Sequence, residues 1–125
     1  MPKNSIIKLT IAFNDPDLDS EELEEQAQNL LAQMSDLDEI ETVGRVLDPH
    51  PPEGNKAVGA ILVGLLTAQV NKENAQKVMG FLGDRLGNRA IELEVEANGK
   101  KLKVKASSRE ELEAAIAAAQ KFAAA

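Results

Sequence analysis

The chain of 125 residues contains no cysteine, no tryptophan and no tyrosine, and its single histidine is His50. Without cysteine there is no disulfide, no thiolate metal site and no cysteine nucleophile. A lone imidazole between prolines, with no serine–base pairing or carboxylate at a recognisable spacing, makes no catalytic triad. No targeting signal is visible near the amino terminus. These absences predict a cytoplasmic protein that is not an enzyme.

Acidic side chains outnumber basic ones and aromatic residues are scarce, which argues against nucleic-acid binding. The net charge is −7, and residues 1–50 carry only 3 basic against 12 acidic side chains. An acidic surface repels phosphate backbones, and three phenylalanines are the only rings that could stack on bases. We therefore expect no nucleic-acid partner.

Two sequence patterns resemble ligand-binding motifs, but each lacks residues that its motif requires. Asp15, Asp17 and Asp19 alternate as at the start of a calcium loop, but the sixth position is Ser20 and the twelfth is Gln26. Such a loop needs glycine and a bidentate glutamate there. The glycines form no phosphate-binding loop between a strand and a helix. The sequence thus predicts neither a metal ion nor a cofactor.

Periodicity predicts most of the secondary structure. Alternating apolar residues favour a strand over 6–13, and a second strand is indicated over 40–47. Asp19 or Ser20 is positioned to cap a first helix, Asn71 a later one, and Ser108 with Glu111 a last one. Asn98-Gly99 predicts a two-residue hairpin turn. That turn sets Glu96 opposite Lys101, Glu94 opposite Lys103 and Glu92 opposite Lys105, as a solvated ladder of ion pairs.

Residues 57–70, AVGAILVGLLTAQV, are apolar except for Thr67 and Gln69. Their length and composition favour a helix that is apolar nearly all round, with a face of small side chains at Ala60, Gly64 and Ala68. Fourteen helical residues span about 21 Å, short of the roughly 30 Å hydrocarbon core of a bilayer. We interpret the segment as a central core helix, with an oligomer or partner face and a membrane-active second state as alternatives.

These elements predict a single α/β (α+β) sandwich over 1–125. Its mixed four-stranded sheet would carry helices mainly on one face, in the order βαβααββα, and would be ferredoxin-like in style. The strand–helix–strand unit at its start implies parallel strands. A proline-rich loop over 48–56 lies inside the domain, and residues 123–125 are expected to fray.

Several motifs together resemble the effector-associated constant component family. They are PPEGNKAVGAILVGLL, VMGFLGDR, the hairpin IELEVEANGKKLKVKA and the closing SSREELEAAIAAAQ. The chain departs from the family pattern at Phe81, where tryptophan is usual. The resemblance implies a non-enzymatic accessory protein of bacterial conflict systems, whose members are encoded beside caspase-like and trypsin-like proteases.

The functional hypothesis is therefore an adaptor that binds and regulates a protease-type effector in bacterial immunity or programmed cell death. One alternative is a latent pore-forming protein whose helix 57–70 is released by cleavage; a second is a small-ligand-binding regulatory module. Homo-oligomers are possible under each. The candidate interface residues are Ala60, Gly64, Ala68, Phe81, Arg85, Glu21 and Glu25, and the candidate cleavage or hinge positions are Lys56 and Arg89.

Overall fold

The computed structural model describes residues 6–47, 61–87 and 89–124. Five strands and three helices follow one another in the order βαββαββα. Their bounds are β1 Ile6–Phe13, α1 Ser20–Ser35, β2 Ile40–Leu47, β3 Ile61–Asn71, α2 Lys72–Leu86, β4 Ile91–Ala97, β5 Lys100–Ala106 and α3 Arg109–Ala124. The α/β class is as predicted, but the sheet has five strands and not four.

The sheet has the strand order β2-β3-β1-β4-β5, and every pair of neighbours is antiparallel. The predicted mixed sheet is therefore wrong. β1 and β2 do run parallel to each other, as the strand–helix–strand unit implied, with β3 inserted antiparallel between them. The first six elements nevertheless have the β-α-β-β-α-β connectivity of a split β-α-β unit, the ferredoxin-like arrangement. The hairpin partner β5 and helix α3 extend this unit.

The predicted helix over 57–70 is also wrong: residues 61–71 form β3, and residues 57–60 lie outside the described part of the chain. Leu66, Ala68 and Val70 are buried, whereas Thr67 and Gln69 between them are not. A strand with a neighbouring strand on each side can carry apolar residues on both faces. A continuous apolar run therefore does not distinguish such an interior strand from a buried helix. No helix among the described residues is long and apolar enough to cross a membrane.

The predicted helix starts are confirmed in their main features. The Asp19 side chain caps α1 and forms a capping box with Glu22. Asn71 ends β3 and caps α2, since its side-chain oxygen accepts the Asn74 N–H at 3.1 Å. Ser108 Oγ accepts the Glu111 N–H at 3.2 Å, but the Glu111 carboxylate reaches back to Ser107. At the other end α3 continues to Ala124 with Ala123 buried, although we expected this end to fray.

The hairpin register is the predicted one, with Glu96, Glu94 and Glu92 opposite Lys101, Lys103 and Lys105. Asn98 and Gly99 both adopt positive φ, at 56° and 77°, as a type I′ turn requires. The charges do not form the expected ladder of ion pairs. The ion pair found among the described hairpin residues is diagonal, from Lys101 Nζ to Glu94 Oε2 at 3.6 Å.

The core lies between one face of the sheet and all three helices. Alternate residues of β1 and β4 are buried, and they form one cluster with the apolar stripes of α1, α2 and α3. No polar or charged residue among those described is buried. Each fully buried leucine or isoleucine contributes about 1.5–3 kcal/mol relative to exposure. Because the helices cover only this face, the opposite face of the sheet has no second layer among the described elements.

Candidate interaction surfaces

The first candidate surface is the uncovered side of the sheet, which we call the open face. Strand residues alternate between two faces, so the neighbours of buried residues point to this side. One row crosses all five strands, through register pairs that join Gly44, Thr67, Thr10, Glu94 and Lys103. A parallel row joins Thr42, Gln69, Lys8, Glu96 and Lys101.

The open face has an uncharged half and a charged half. On β2, β3 and most of β1 it presents small, β-branched or apolar side chains, several of them half-buried. Thr67 Oγ1 donates to the Leu9 carbonyl at 3.0 Å, so its hydroxyl is satisfied within the sheet. On β4 and β5 the same face carries a row of glutamates beside a row of lysines. The uncharged half consists of Thr10, Ala12, Gly44, Val46, Leu65 and Thr67.

Gly44 leaves the uncharged half flat at the edge strand β2. Its neighbours Val43 and Arg45 face the helices, since Val43 packs on the core and Arg45 reaches α1. A Cβ added at Gly44 would meet no atom within 4 Å, and its φ lies outside the left-handed region. The glycine is therefore not required by the conformation of its backbone or by crowding inside the domain.

The second candidate surface is an open groove along the first turns of α1, which includes the predicted interface residues Glu21 and Glu25. Both are exposed, and the groove ends against Val63 of β3. Asp19 and Glu22 also line it, but their carboxylates are engaged in the capping box. Glu21 and Glu25 have no ion-pair partner among the described residues, so their carboxylates add to the negative charge of this surface and are available to a partner.

At the inner side of this groove, Glu24 connects three elements. Its carboxylate accepts two hydrogen bonds from the guanidinium of Arg45 on β2, one of them from Nη2 to Oε1 at 2.6 Å. It also accepts the backbone N–H of Gly64 on β3 at 3.2 Å. The hydrogen bonds from Arg45, opposed by burial and aided by the Gly64 N–H, lower the pKa of Glu24 from 4.5 to about 2. The carboxylate is thus ionised at any physiological pH.

The predicted helix face of small side chains at Ala60, Gly64 and Ala68 does not form, because residues 61–71 are a strand. Gly64 does approach another backbone closely, but inside the domain. It has φ +76° where the β2–β3 register shifts, and an added Cβ would lie 3.1 Å from the Phe13 carbonyl oxygen. Ala68 is 1% exposed in the core. Neither therefore lies on the surface of the folded domain. Ala60 and Lys56, together with His50 and the loop 48–56, lie outside the described residues.

The third candidate surface is a cleft between α1 and the carboxyl end of α2, which we call the arginine cleft. The predicted residues Arg85 and Arg89 line one side, and Gln26, Asn29 and Gln33 of α1 line the other. The Arg85 guanidinium carbon lies 5.2 Å from the centre of the Phe81 ring, which brings a further predicted residue next to the cleft. Leu30, Leu86 and Phe13 complete the lining.

The calcium-like acidic turn is occupied by internal hydrogen bonds. Asp15 Oδ1 accepts the Asp17 N–H at 2.9 Å, and Asp19 caps α1. Among residues 6–47, 61–87 and 89–124, no group of three or more histidine, aspartate or glutamate side chains is placed to hold a metal ion. The acidic residues of this turn serve to begin α1.

Sequence reasoning missed the Glu24–Arg45 pair and the open face. The two partners are 21 residues apart, and neither belongs to a recognisable motif. The open face was missed because β3, an interior strand of the sheet, was assigned as a helix. Thr10 and Thr67 each lie between apolar residues in the sequence. This pattern could have indicated a strand whose outer face avoids both charged and large apolar side chains.

Comparisons with known proteins add little to these observations. No family model matches the chain, and no curated protein matches it. A solved structure described as a phage SAM lyase in complex with S-methyl-5′-thioadenosine aligns with 85% of this chain and 93% of its own. The identity is 10% and the TM-score is 0.35. A likeness of this size carries no argument about function.

Proposed function

We propose that this protein is a non-enzymatic accessory protein that binds and regulates a protease-type effector of a bacterial conflict or programmed-cell-death system. The observation that carries the proposal is the open face, a five-stranded sheet surface with an uncharged half, over which none of the three described helices lies. The choice of a protease as partner comes from the resemblance to the effector-associated constant component family.

The dimensions of the open face are those of a modest protein interface. Five strands at about 4.8 Å spacing and seven residues at about 3.3 Å give roughly 24 Å by 23 Å, or about 550 Å². Counted on both partners, this is about 1,100 Å², just above the size at which specific interfaces begin. A partner would therefore have to cover the charged half as well as the uncharged half.

The charges on the open face would then select the partner. The glutamates at 92, 94 and 96 lie beside the lysines at 101, 103 and 105, so acidic and basic rows run in parallel along β4 and β5. A matching surface needs basic groups over the first row and acidic groups over the second, and a mismatch places like charges together. The uncharged half supplies surface that can lose its bound water on complex formation without the loss of an ion pair.

The earlier alternatives have less support. The pore-forming hypothesis depended on a releasable helix at 57–70, and the described part of that segment is a strand in the middle of the sheet. The hypothesis of a small-ligand module rests on fold analogy alone, and no specific contact in the described residues favours it.

The test is co-purification of the protein with the products of its neighbouring genes, including any protease, in active and inactivated forms. Gly44→Arg places a long side chain on the open face, at a position where an added Cβ meets no atom within 4 Å, and should abolish the complex. Gly80→Arg is a matched control, because Gly80 is exposed on α2 and its added Cβ also meets nothing within 4 Å. Absence of any complex would refute the proposal. If Gly44→Arg and Gly80→Arg both kept the complex equally well, the open face would not be the binding surface.

A further inference from the structure

We propose that the arginine cleft binds a carboxylate of an extended peptide, and hence that the partner presents an acidic segment to it. This inference rests on the proposed function for the identity of the partner. Its chemistry follows from the side chains of the cleft alone.

The two arginines provide the charge. Arg85 and Arg89 are both exposed, and neither has an acidic partner among the described residues, in contrast to Arg45 with its bidentate carboxylate. Arg85 is held over the Phe81 ring, which takes up the face of the guanidinium and leaves its edge N–H groups free. A planar guanidinium with free edges matches a carboxylate in bidentate geometry.

The opposite wall provides amides at helical spacing. Gln26, Asn29 and Gln33 lie at i, i+3 and i+7 on α1 and face the cleft together. A carboxamide both donates and accepts hydrogen bonds, as a peptide group does, so a row of amides complements an extended backbone. The arginines alone would fit any anion; the amide row makes a peptide the better match.

One atom of this wall is unsatisfied. Gln26 Oε1 is buried and has no hydrogen-bond partner, and it is the one side-chain atom in this state among the described residues. An unpaired buried carbonyl costs about 1–3 kcal/mol. A turn of the half-buried Gln26 side chain toward the cleft would relieve this cost by letting the oxygen accept a backbone N–H of a bound peptide. The enclosed part of the cleft has a volume of about 30 Å³, which admits the tip of one polar group, so the rest of a bound peptide would lie along the exposed rim beside Arg85 and Arg89.

These features together specify a ligand with an anionic carboxylate and a nearby N–H donor. An aspartate within a peptide and a carboxyl terminus both meet this description. A free phosphate offers the charge without the peptide N–H, and a neutral peptide offers the N–H without the charge.

The test is an NMR titration of the ¹⁵N-labelled full chain with four probes. The side-chain amide signals of Gln26, Asn29 and Gln33 report binding. The probes are the capped peptide Ac-Gly-Asp-Gly-NH₂, its neutral counterpart Ac-Gly-Asn-Gly-NH₂, Ac-Gly-Gly with a free carboxyl terminus, and inorganic phosphate. We expect at least one carboxylate peptide to shift these signals and to bind at least tenfold more tightly than the asparagine peptide and phosphate. The two carboxylate probes separate an internal aspartate from a chain terminus.

Arg85→Gln and Arg89→Gln should each weaken the preferred peptide about tenfold. Arg109→Gln, which removes the same charge from an exposed position on α3, should leave its affinity unchanged. Equal binding of the aspartate and asparagine peptides, equal binding of phosphate, or an equal loss in Arg109→Gln would each overturn the proposal. If no peptide binds but the complex still forms in co-purification, only the proposed role of the cleft is refuted. If neither peptide binding nor a complex is found, the proposed function is refuted as well.

Discussion

Glu24 of α1 and Arg45 of β2 form a bidentate ion pair that joins the first helix to an edge strand of the sheet. Arg45 also donates through Nε to the Leu65 carbonyl at 2.9 Å, while Glu24 accepts the N–H of Gly64. The side chains of Arg45 and Glu24 are 12% and 26% exposed. The pair therefore fixes β3 where its register with β2 shifts, on the inner side of the sheet.

We expect Glu24→Gln to destabilise the protein by about 2 kcal/mol at pH 7. A pKa lowered from 4.5 to about 2 corresponds to about 3 kcal/mol. Screening at this partly exposed site reduces the figure. Urea denaturation followed by circular dichroism measures the change. Glu25→Gln is the control one residue away, and an equal loss in that variant would contradict a specific role for Glu24.

The same pair predicts a pH dependence in the acid range. Because the folded-state pKa of Glu24 lies below its unfolded value, the stabilisation is fully present above about pH 4.5. It is lost as the pH falls from there through about 2. The difference in free energy of unfolding between wild type and Glu24→Gln should therefore be constant from pH 5 to 8 and shrink below pH 4.5. A difference that shrank above pH 5 would contradict this assignment.

Gly64→Ala should destabilise the fold by about 1–3 kcal/mol. Its φ of +76° disfavours any side chain, and the new Cβ would lie 3.1 Å from the Phe13 carbonyl oxygen and 3.4 Å from Leu23 Cβ. Gly44→Ala is the matched control on β2, where no atom lies within 4 Å and φ is ordinary, and it should be neutral or slightly stabilising. Chemical denaturation of both variants checks the prediction, and similar costs would refute it.

Ser107→Ala should raise the pKa of Glu111 part of the way back toward 4.5. The Ser107 N–H, at 2.8 Å, and then its hydroxyl, at 2.9 Å, lower the pKa of the Glu111 carboxyl. The substitution removes only the hydroxyl, so part of the shift should remain. Titration of the Glu111 side-chain carboxyl by NMR measures this, and Ser35→Ala on α1 serves as a control. An unchanged pKa would show that the hydroxyl does not bond the carboxylate in solution.

Lys101→Met should change the free energy of unfolding by less than about 0.5 kcal/mol. The Lys101 side chain is 62% exposed, and its pair with Glu94 is long at 3.6 Å. Such surface pairs contribute little. Leu93→Ala in the same hairpin removes a fully buried side chain and should cost about 2–5 kcal/mol. Comparable losses in the two variants would show that the charged rows stabilise the hairpin after all.

Local signals were sufficient wherever a few neighbouring residues decide the structure. Asp19, Asn71 and Ser108 cap helices because their side chains bond backbone N–H groups within the next turn. Asn98-Gly99 sets the β4–β5 register because a two-residue turn leaves one way to pair the strands. The apolar stripes of the three helices likewise identify the residues that face the core.

Only the tertiary structure decided what the apolar run at 61–70 becomes and what surrounds it. The apolar pattern of this run is compatible with either a buried helix or an interior strand. The run forms a strand because β1 and β2, which lie on its two sides, provide hydrogen-bond partners for its backbone. The contact of Glu24 with Gly64 and the open face both follow from that placement. These surfaces and the arginine cleft join residues distant in the chain. The amino-acid sequence by itself therefore determined the elements other than β3 and the helix caps, and long-range packing determined β3 and the surfaces.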